Sequence, residues 1–544
     1  MKVKAANGLV RVLKSEGTNW VSGFPQSPIW RWPDCPLTEE GLTDVMTRHE
    51  RMAVAIADGY SRVSDGYRIG VCQVMGGINA AGIQNAYAGL AQAFEDNSPV
   101  LCITGGTERS VAGTSHYDIT RAFEPVTKWV GNITQAHRVP EVMRRAFTYL
   151  RTGRPGPVLV QIANDMAFDE YDDEEFPYMN VKGWKTGADP HDVEVAVKAL
   201  LHAKSPLLYA GQGIFYADAC TELQELVELV QAPLLTTLMG KSVFPENHPL
   251  SIGVRGPAAE HYLYTSDLVF GLGTGLNKGR FSHYIPNPLG KVIIQATIDE
   301  LDVNKNYICD YVLVGDAKLV LRQLIEEVKK QAGSEGVREN EELKAEIRGL
   351  NEKYLNEIMP RLTSTDVPIK PFRVYWDLMH TIDRENSIVT HDAGGPRDGM
   401  MSVWESIVPH GYLGWGNVST LGFGLGAAMG AKLAYPERMV VNVIGDAGIG
   451  MVGMDLETAV RNKIAITTIH INNEGFYYYK QFPKKVVNMA KVAEGLGEYA
   501  ERVEKPDEII PAIKRAFKEN KAGRPAYLEV ICVQNRDYPS WIQP

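Results

Sequence analysis

Residues 439–476, MVVNVIGDAGIGMVGMDLETAVRNKIAITTIHINNEGF, decide the fold of this 544-residue chain. The stretch begins with an apolar run from Met439 to Ile444, which is rich in valine and isoleucine and too short to span a membrane. Such a run is typical of a buried parallel strand. A segment of helical character, Met454 to Arg461, and a second apolar run, Ile464 to Ile471, follow it. The pattern predicts a strand–helix–strand unit of an α/β sheet.

Polar residues follow both predicted strands. Gly445-Asp446-Ala447-Gly448 comes after the first strand, and Asn472-Asn473-Glu474-Gly475 comes after the second. Because successive parallel strands end at the same edge of a sheet, we expect Asp446 and Asn473 to point to one place. Carboxylate, amide and backbone carbonyl oxygens are hard ligands, which suit Mg2+ that keeps its other positions for phosphate oxygens. Taken alone, the residues also fit a plain strand–helix–strand unit with two polar turns.

The composition favours a globular protein of the cytoplasm. Its 44% hydrophobic and 22% charged residues are ordinary for a globular chain, and a net charge of −10 argues against nucleic acid as a partner. No apolar run reaches the roughly 18 residues of a membrane span. Asn7, Arg11 and Lys14 interrupt the apolar residues at the N-terminus, which indicates an amphipathic helix and not a signal peptide. The six cysteines lie far apart without a C-x-x-C pair, which indicates reduced, packed thiols.

Strand-like and helix-like segments alternate along the whole chain, so we predict an α/β fold with three doubly wound parallel-sheet domains. The predicted domains are residues 1–170, 190–335 and 365–544. An acidic stretch at 169–175 marks the first boundary, and a charged helical linker at 333–360 marks the second. Gly153-Arg154-Pro155 precedes an apolar strand, and Gly523-Arg524-Pro525 does the same 370 residues later. This repeat suggests that the two outer domains are related by duplication.

Several further motifs accompany the G-D-A…N-N stretch, in which twenty-four residues separate Ala447 from Asn472. They are Thr47-Arg48-His49-Glu50, the segments Ile56–Arg62, Leu90–Phe94 and Thr420–Leu425, and the two Gly-Arg-Pro strands. With them the chain resembles the acetolactate synthase-like thiamine diphosphate enzymes over essentially its whole length. That family includes pyruvate oxidase, benzoylformate and oxalyl-CoA decarboxylases, 2-hydroxyacyl-CoA lyase and cyclohexane-1,2-dione hydrolase. Ala447 departs from the usual G-D-G pattern, which a loop accepts if this residue keeps a negative φ.

The resemblance implies a pyrimidine-binding, a central and a diphosphate-binding domain, in that order. Glu50 would hydrogen-bond a nitrogen of the cofactor's aminopyrimidine, Leu421 would hold the cofactor in its bent form, and the carbonyl of Ser419 would hold the amine. The remaining implied cofactor contacts are Gly445, Asp446, Ala447, Gly448, Asn473, Gly475 and Phe476, with Asp446, Asn473 and the Gly475 carbonyl on Mg2+. The alternatives are a carboxylate at a helix start for Glu50 and an ordinary core residue for Leu421. The resemblance also implies that Glu50 reaches a cofactor bound mainly by another subunit's diphosphate-binding domain. It therefore implies at least a homodimer, often a homotetramer.

The substrate-facing positions depart from the well-known members. Gln26, on the loop after the first strand, is a candidate catalytic residue, and His116 and His391 are the candidates for carrying protons. The run Tyr477–Tyr479 could line the pocket or the core. FAD in the central domain is possible, because Gly253–Gly256 lies where flavin-containing members contact it. The glycines of Gly211-x-Gly213 and Gly271-x-Gly273-x-Gly275 fit plain turns better than a dinucleotide fingerprint.

Three functions therefore stay open at the level of sequence. The first is decarboxylation and carboligation of 2-oxo acids such as pyruvate. The second is a lyase or hydrolase acting on a 2-hydroxyacyl-CoA, oxalyl-CoA or a cyclic 1,2-diketone, for which Lys241, Lys278 and Arg280 would be the basic residues of a CoA site. The third, a scaffold without turnover, is disfavoured because Glu50, Asp446 and Asn473 are all present.

Overall fold

The computed structural model describes residues 1–25, 27–29, 35–77, 81–109, 117–475, 487–534 and 538–543. The described strands form three parallel sheets, of six, five and six strands, and one antiparallel pair. The parallel sheets follow one another along the chain, with helices between their strands. The predicted fold class, α/β with three parallel-sheet domains, is confirmed. The domain limits at residues 170, 190, 335 and 365 stay predictions.

The first parallel sheet lies in the N-terminal part of the chain. Its region contains the strands β1 (Lys2–Lys4), β2 (Trp20–Gly23), β3 (Thr43–Met46), β4 (Gly70–Val74), β5 (Val100–Gly106), β6 (Trp129–Ile133), β7 (Val158–Ala163) and β8 (Glu170–Asp172). The helices are α1 (Ala5–Ser15), α2 (Pro36–Glu39), α3 (Glu50–Arg62), α4 (Ala81–Glu95), α5 (Ile119–Phe123) and α6 (Val139–Arg151). The sheet has the order β3-β2-β4-β5-β7-β6, and β1 pairs antiparallel with β8.

The second parallel sheet lies in the middle of the chain. Its strands are β9 (Pro206–Ala210), β10 (Leu234–Thr236), β11 (Leu268–Leu272), β12 (Val292–Thr297) and β13 (Tyr311–Val314). The helices are α7 (Pro190–His202), α8 (Gly213–Tyr216), α9 (Cys220–Val230), α10 (Pro257–Thr265) and α11 (Ala317–Ala332), and α12 (Glu341–Leu362) follows as the predicted linker helix. The order is β10-β9-β11-β12-β13, so the chain turns in opposite directions on the two sides of β9.

The third parallel sheet lies in the C-terminal part. Its strands are β14 (Ser387–His391), β15 (Tyr412–Leu413), β16 (Met439–Gly445), β17 (Thr467–Asn472), β18 (Tyr499–Val503) and β19 (Ala526–Ile531). The helices are α13 (Pro371–Met379), α14 (Gly395–Val403), α15 (Phe423–Ala434), α16 (Asp446–Val452), α17 (Leu456–Arg461), α18 (Met489–Gly495) and α19 (Ile509–Lys521). The order is β15-β14-β16-β17-β19-β18.

The two outer sheets have the same strand order. In each, the second strand lies at one edge beside the first, and the fifth lies at the other edge beside the sixth. Both Gly-Arg-Pro motifs precede the sixth strand, at β7 and β19. The common topology supports the predicted duplication.

Two of the predicted boundaries differ from the structure. The helix between β16 and β17 begins at Asp446, directly after the strand, and is divided by a 3-10 turn at Gly453–Asp455 into α16 and α17. We expected its start near Met454, because glycines at 445, 448 and 450 are poor helix formers. The second strand begins at Thr467 and not at Ile464, although Ile464 and Ile466 are buried.

The outer domains are joined by the packing of α3 against α15. A Cβ atom at Gly430 would overlap the carbonyl oxygen of Ile56, and one at Gly59 would overlap the backbone of Ala427. Glycine at these positions therefore allows the two helix backbones to touch. The helices run in the same direction, since Gly422 lies beside Arg51 at one end of the pair and Gly430 beside Ile56 farther along. Residues of both domains thus form one apolar core.

We expect Gly430→Ala to lower the thermal midpoint of unfolding, because the added methyl group meets backbone that cannot rotate away. Overpacking of this kind costs about 1–3 kcal/mol. The matched control is Gly349→Ala in α12, where a Cβ atom meets nothing within 4 Å. That change should stabilise the protein slightly, by about 0.5–1 kcal/mol. Differential scanning calorimetry of both variants checks the prediction, which fails if Gly430→Ala melts at or above the wild-type temperature.

Candidate active site

Three polar residues meet at the carboxyl edge of the C-terminal sheet. The strands β14, β16 and β17 are neighbours, and Asp392, Asp446 and Asn473 follow their ends. Oδ2 of Asp446 accepts a hydrogen bond of 3.0 Å from the backbone N–H of Asn473. The expected closeness of Asp446 and Asn473 is therefore present in the structure.

Two buried side chains orient the carboxylate of Asp446 through a chain of hydrogen bonds. Nε2 of His470 donates to Oδ1 of Asp446 over 3.2 Å, and the hydroxyl of Tyr527 donates to Nδ1 of His470 over 2.7 Å. His470 and Tyr527 are both inaccessible to solvent. A hydrogen-bonded partner of this kind fixes the orientation of a carboxylate ligand. The role of His470 was not predictable from the sequence, since a histidine within an apolar strand is usually a core residue.

The residues expected to hold Mg2+ offer suitable oxygen atoms. Oδ1 of Asn473 is buried and has no hydrogen-bond partner among the described residues. A Cβ atom on Gly475 would lie 3.8 Å from this Oδ1, so the backbone of Gly475 is next to it. An unpaired buried amide oxygen is costly unless a ligand satisfies it. Together with the carboxylate of Asp446, this donor set fits a hard divalent cation.

The turn after β16 is shaped by close packing. Ala447 lies inside α16 and is not among the residues with positive φ, so it meets the condition set by its departure from G-D-G. A Cβ atom at Gly448 would lie 2.5 Å from Oδ1 of Asp392. Gly448 therefore lets the turn after β16 approach the carboxylate at the end of β14. Gly445 is under no such constraint, as a Cβ atom there meets only Pro396 at 3.6 Å.

Asp392 holds the loop before α15. Its buried carboxylate accepts hydrogen bonds of 3.0 Å from the backbone N–H groups of Gly422 and Gly424. Burial raises the pKa of Asp392 to about 6. The hydrogen bonds from Gly422 and Gly424 favour the ionised form and lower this pKa, but burial has the larger effect. The loop that carries Leu421 is therefore fixed to the carboxyl edge of the sheet. The family resemblance implies that the loop 392–395 lies along the cofactor, but no role for the Asp392 side chain was predicted from the sequence.

Leu421 and Ser419 lie on this fixed loop. The carbonyl of Leu421 accepts a hydrogen bond of 2.9 Å from Nη2 of Arg51, and its half-buried side chain packs on the core shared by the outer domains. Both interpretations of Leu421 are thus compatible with its place. Ser419 is exposed, and its hydroxyl accepts a hydrogen bond of 3.2 Å from Nη1 of Arg397.

Glu50 is the first residue of α3. It lies at the same end of the α3–α15 pair as the loop that carries Leu421. Its side chain is nearly buried, and Nδ2 of Asn85 donates to its Oε2 over 3.2 Å. Among the described residues Oε1 has no hydrogen-bond partner. A nearly buried carboxyl group with one free oxygen is able to exchange a hydrogen bond with a ligand group.

Comparisons with known families agree with this arrangement. Residues 3–127 match the family described as thiamine pyrophosphate enzyme, N-terminal TPP binding domain. Residues 193–324 match its central domain, and residues 392–530 match its C-terminal TPP binding domain. Glu50 falls within the first match, and Asp446 and Asn473 fall within the last.

Relatives match the chain along nearly its whole length. A probable acetolactate synthase large subunit of Methanocaldococcus jannaschii is 31% identical over 97% of this chain and 92% of that protein. The chain belongs to the acetolactate synthase-like family of thiamine diphosphate enzymes. A probable acetolactate synthase large subunit of Methanococcus aeolicus is 31% identical, over 95% of this chain and 90% of that protein. The large subunit of isozyme 3 from Escherichia coli is 26% identical, over 97% and 94%.

Membership of the acetolactate synthase-like family confirms the predicted resemblance, and with it a thiamine diphosphate-dependent enzyme. Thiamine pyrophosphate is another name for the same cofactor. The roles assigned to single residues stay predictions. Gln26, His116 and Phe476, together with the run Tyr477–Tyr479, lie outside the described residues.

His391 is not placed to carry protons in this acetolactate synthase-like enzyme. Its ring is fully buried and stacks on Trp415, with ring centroids 5.2 Å apart and an angle of 14° between the planes. Burial lowers the pKa of His391 to about 3, so the imidazole is neutral at physiological pH. A structural role fits these observations better than proton transfer.

The enzyme also has a cavity of about 170 Å³ where its three domains meet. Glycine turns after β9 and β11 line it, and a Cβ atom at Gly211 would lie 2.6 Å from the carbonyl oxygen of Gly273. These glycines are therefore turns packed backbone to backbone, at the point where the strand order reverses. Arg255 lies in the loop Gly253–Gly256, which was considered as a contact for FAD. Its guanidinium group donates to the carbonyl oxygen of Asp398 and to Oγ of Ser402.

In the part of the chain that the structure describes, no helix is both long enough and apolar enough to cross a membrane. The same part holds no cluster of three or more His, Cys, Asp or Glu side chains arranged for a metal ion.

We expect Asp392→Asn to stabilise this acetolactate synthase-like enzyme above pH 6 and to have little effect near pH 4. The pKa of Asp392 is about 6 when folded and about 3.8 when unfolded, so the unfolded chain loses its proton first as pH rises. The ionised carboxyl therefore reduces the free energy of unfolding through this window, by roughly 1–3 kcal/mol. Thermal midpoints of both proteins between pH 4 and 8 check the prediction.

The control is Asp366→Asn. Lys370 and Ser364 lower the pKa of this exposed carboxylate, so its removal should not stabilise the protein at high pH. The interpretation of Asp392 is contradicted if Asp392→Asn gives the same difference in thermal midpoint at pH 4 and pH 8.

Proposed function

We propose that this enzyme decarboxylates a 2-oxo acid such as pyruvate and joins the remaining two-carbon unit to a second 2-oxo acid, as an acetolactate synthase does. The observation that carries the proposal is the similarity to acetolactate synthase large subunits over 97% of the chain, together with the grouping of Asp446 and Asn473 at one edge. The carbonyl carbon next to a carboxylate is the group on which such chemistry acts.

When bound, thiamine diphosphate supplies a nucleophilic carbon that adds to a carbonyl group and stores its electrons. Glu50 would hydrogen-bond a ring nitrogen of the aminopyrimidine through its free oxygen. The carbonyl of Ser419 would hold the amine, and Leu421 would support the bent form of the cofactor. Positioning of this kind is worth several orders of magnitude in rate when the reacting groups are held in line.

We propose further that Asp446, Asn473 and the carbonyl of Gly475 hold Mg2+, and that the turn Gly445–Gly448 lies along the diphosphate. His470 and Tyr527 would keep Oδ1 of Asp446 in place. The unpaired Oδ1 of Asn473 supports this assignment, because a metal ligand needs a free lone pair.

The lyase and hydrolase alternatives have less support from the structure. Lys241, one of the basic residues considered for a CoA site, is only 1% exposed and forms a buried ion pair with Glu246. It is therefore not available to an external phosphate. Lys278 lies over the rings of Tyr284 and Tyr307, and Arg280 lies over Phe281.

We propose that the protein assembles at least as a homodimer and further as a homotetramer. Large apolar side chains are exposed close to the site, with Met451 60% and Met454 56% accessible. Tyr87 and Phe94 are also exposed on α4, the helix whose Asn85 bonds Glu50. A second subunit would cover these surfaces. All six cysteines lie in described residues as free thiols, which supports the proposed cytoplasmic location.

The cavity between the domains is the proposed site of FAD or a related nucleotide. It lies beyond the ends of β9 and β11, where the strand order reverses, and such crevices bind nucleotides in open α/β sheets. Trp184 is 64% exposed and lines the cavity, where it could stack on an aromatic base. An absorption spectrum of the purified protein tests this. A flavin band is expected, and its lack after incubation with FAD counts against the proposal.

We expect Glu50→Gln to abolish the release of carbon dioxide from pyruvate while leaving the fold intact, because the amide cannot exchange the proton that the carboxyl group does. A loss of at least about a hundredfold is expected for a general acid–base group. Activity is measured with thiamine diphosphate and Mg2+, and circular dichroism checks the fold. Survival of wild-type activity would show that the assigned mechanism is wrong.

Mixtures of two variant subunits test whether Glu50 and Asp446 of different subunits act on the same cofactor. Glu50→Gln and Asp446→Asn proteins should each be inactive alone. If the two residues act on one cofactor across a dimer, unfolding and refolding the mixture restores some activity, because one site of each mixed dimer is intact. If they act within one chain, every site is defective and no activity returns.

A further inference from the structure

Glu529 is a fully buried acid in β19 of the C-terminal sheet. Its two carboxyl oxygens accept hydrogen bonds from two different elements. Oε1 accepts one of 2.7 Å from Nδ2 of Asn472, at the end of β17, and Oε2 accepts one of 2.9 Å from the backbone N–H of Ala490, in α18. The chain leaves the sheet at Asn472 and enters the next helix at Ala490. One side chain thus joins both ends of the segment that carries Asn473 and Gly475.

The side-chain amide of Asn472 forms hydrogen bonds through both of its polar atoms. Its Nδ2 donates to Glu529, and its Oδ1 accepts a hydrogen bond of 2.9 Å from the backbone N–H of Glu474. Asn472 is nearly inaccessible to solvent, so water is not available in place of either partner. An amide whose oxygen accepts on one side needs an acceptor for its nitrogen on the other side. Glu529 supplies that acceptor and therefore determines which way the amide points.

The amide of Asn472 in turn holds an unusual backbone conformation. Glu474 has a left-handed backbone, with a φ of 56°. This conformation is unfavourable for a residue with a side chain, and it persists only where neighbouring contacts impose it. The hydrogen bond from the N–H of Glu474 to Asn472 is such a contact. Because Glu474 lies between Asn473 and Gly475, its conformation determines where the oxygens of both proposed Mg2+ ligands lie.

The charge of Glu529 is poorly compensated. Among the described residues one cation is near it, Arg502 on the neighbouring strand β18, whose Nη1 lies 3.7 Å from Oε2. That distance is too long for a hydrogen bond, and Nε of Arg502 donates instead to Glu504 over 2.8 Å. A buried acid with so distant a cation does not favour folding. Its hydrogen bonds to the two ends of the segment give it a different purpose.

We propose that Glu529 is a positioning residue, which holds Asn473 and Gly475 in the geometry in which they bind Mg2+. The inference rests on the proposed function, in which both residues are ligands of the metal. His470, beside Glu529 in the neighbouring strand, supports the carboxylate of Asp446. The two buried side chains thus support different members of the same ligand set. Glu529 acts through the residues that it binds and not as a ligand.

The test measures the affinity for Mn2+, a paramagnetic substitute for Mg2+ at oxygen sites, by electron paramagnetic resonance of the protein saturated with thiamine diphosphate. In Glu529→Gln, one of the two donors, Nδ2 of Asn472 or the N–H of Ala490, faces an amide nitrogen that cannot accept a hydrogen bond. The dissociation constant for Mn2+ should therefore rise by about 10- to 100-fold, the usual effect of changing a residue behind a metal ligand. An unchanged constant overturns the inference.

A reciprocal exchange tests whether the effect depends on Asn472. Adding Asn472→Asp to Glu529→Gln satisfies every donor again, because the new amide nitrogen donates to the new carboxylate, whose other oxygen accepts from Glu474. In the wild-type background the same change places two acids side by side. Asn472→Asp should therefore improve Mn2+ binding by about tenfold more in Glu529→Gln than in the wild type. An equal factor in both backgrounds overturns the inference.

Glu498→Gln is the matched control. Glu498 is also fully buried in the C-terminal part, just before β18, but neither of its carboxyl oxygens has a hydrogen-bond partner among the described residues. This variant should bind Mn2+ as the wild type does, and an equal loss in both variants would contradict the inference. A structural role alone for Glu529 would lower the thermal midpoint of the metal-free protein and leave the affinity for Mn2+ unchanged.

The binding measurement does not depend on the reaction that the enzyme catalyses. Mn2+ binding that weakens in Glu529→Gln, in a protein inert towards pyruvate, would refute the proposed reaction alone. Turnover of pyruvate by the wild type, with equal Mn2+ affinity in the wild type and Glu529→Gln, would refute the inference alone. A wild-type protein that binds no Mn2+ in the presence of thiamine diphosphate would refute both the proposed metal site and the inference.

Discussion

The close packing of α3 on α15 is the constraint on which the rest of the structure depends. Glycine on each helix lets the two backbones touch, so the outer domains share one apolar core. The parallel run of the helices places the start of α3, with Glu50, at the same end as the loop of Leu421. A side chain at Gly430 would push the domains apart and would change the space between Glu50 and that loop.

The groups at the carboxyl edge of the C-terminal sheet are held in place by buried hydrogen bonds. Asp392 binds the backbone of the loop before α15, and His470 binds Asp446 from within the sheet. Each of these contacts is buried, so its geometry does not depend on solvent. A cofactor then meets groups that need little reorganisation, which is the main contribution of a protein to catalysis by a cofactor.

The sequence predicted the three-domain fold and the meeting of Asp446 with Asn473, since apolar periodicity and the common edge of parallel strands are local rules. It did not predict Asp392 or His470, whose roles depend on which strands become neighbours. It also placed the helix after β16 too late, because glycine-rich turns conceal a helix start. Lys241 was considered for a CoA site, yet its burial follows from the contact between two domains. The roles of Gln26, His116 and Phe476 stay predictions.

The matching strand order of the outer domains has an evolutionary consequence. An ancestor with a single such domain, pairing with itself through the helix now present as α3 and α15, would have had two equal sheet edges. In the present chain the edge after β16 carries Asp446, whereas the corresponding place after β4 carries Met75-Gly76-Gly77. In that case one copy would have kept the oxygen atoms proposed to hold Mg2+, and the other would have kept the acid at the start of its helix. Specialisation of two duplicated domains, without any new fold, would account for an active site to which both domains contribute.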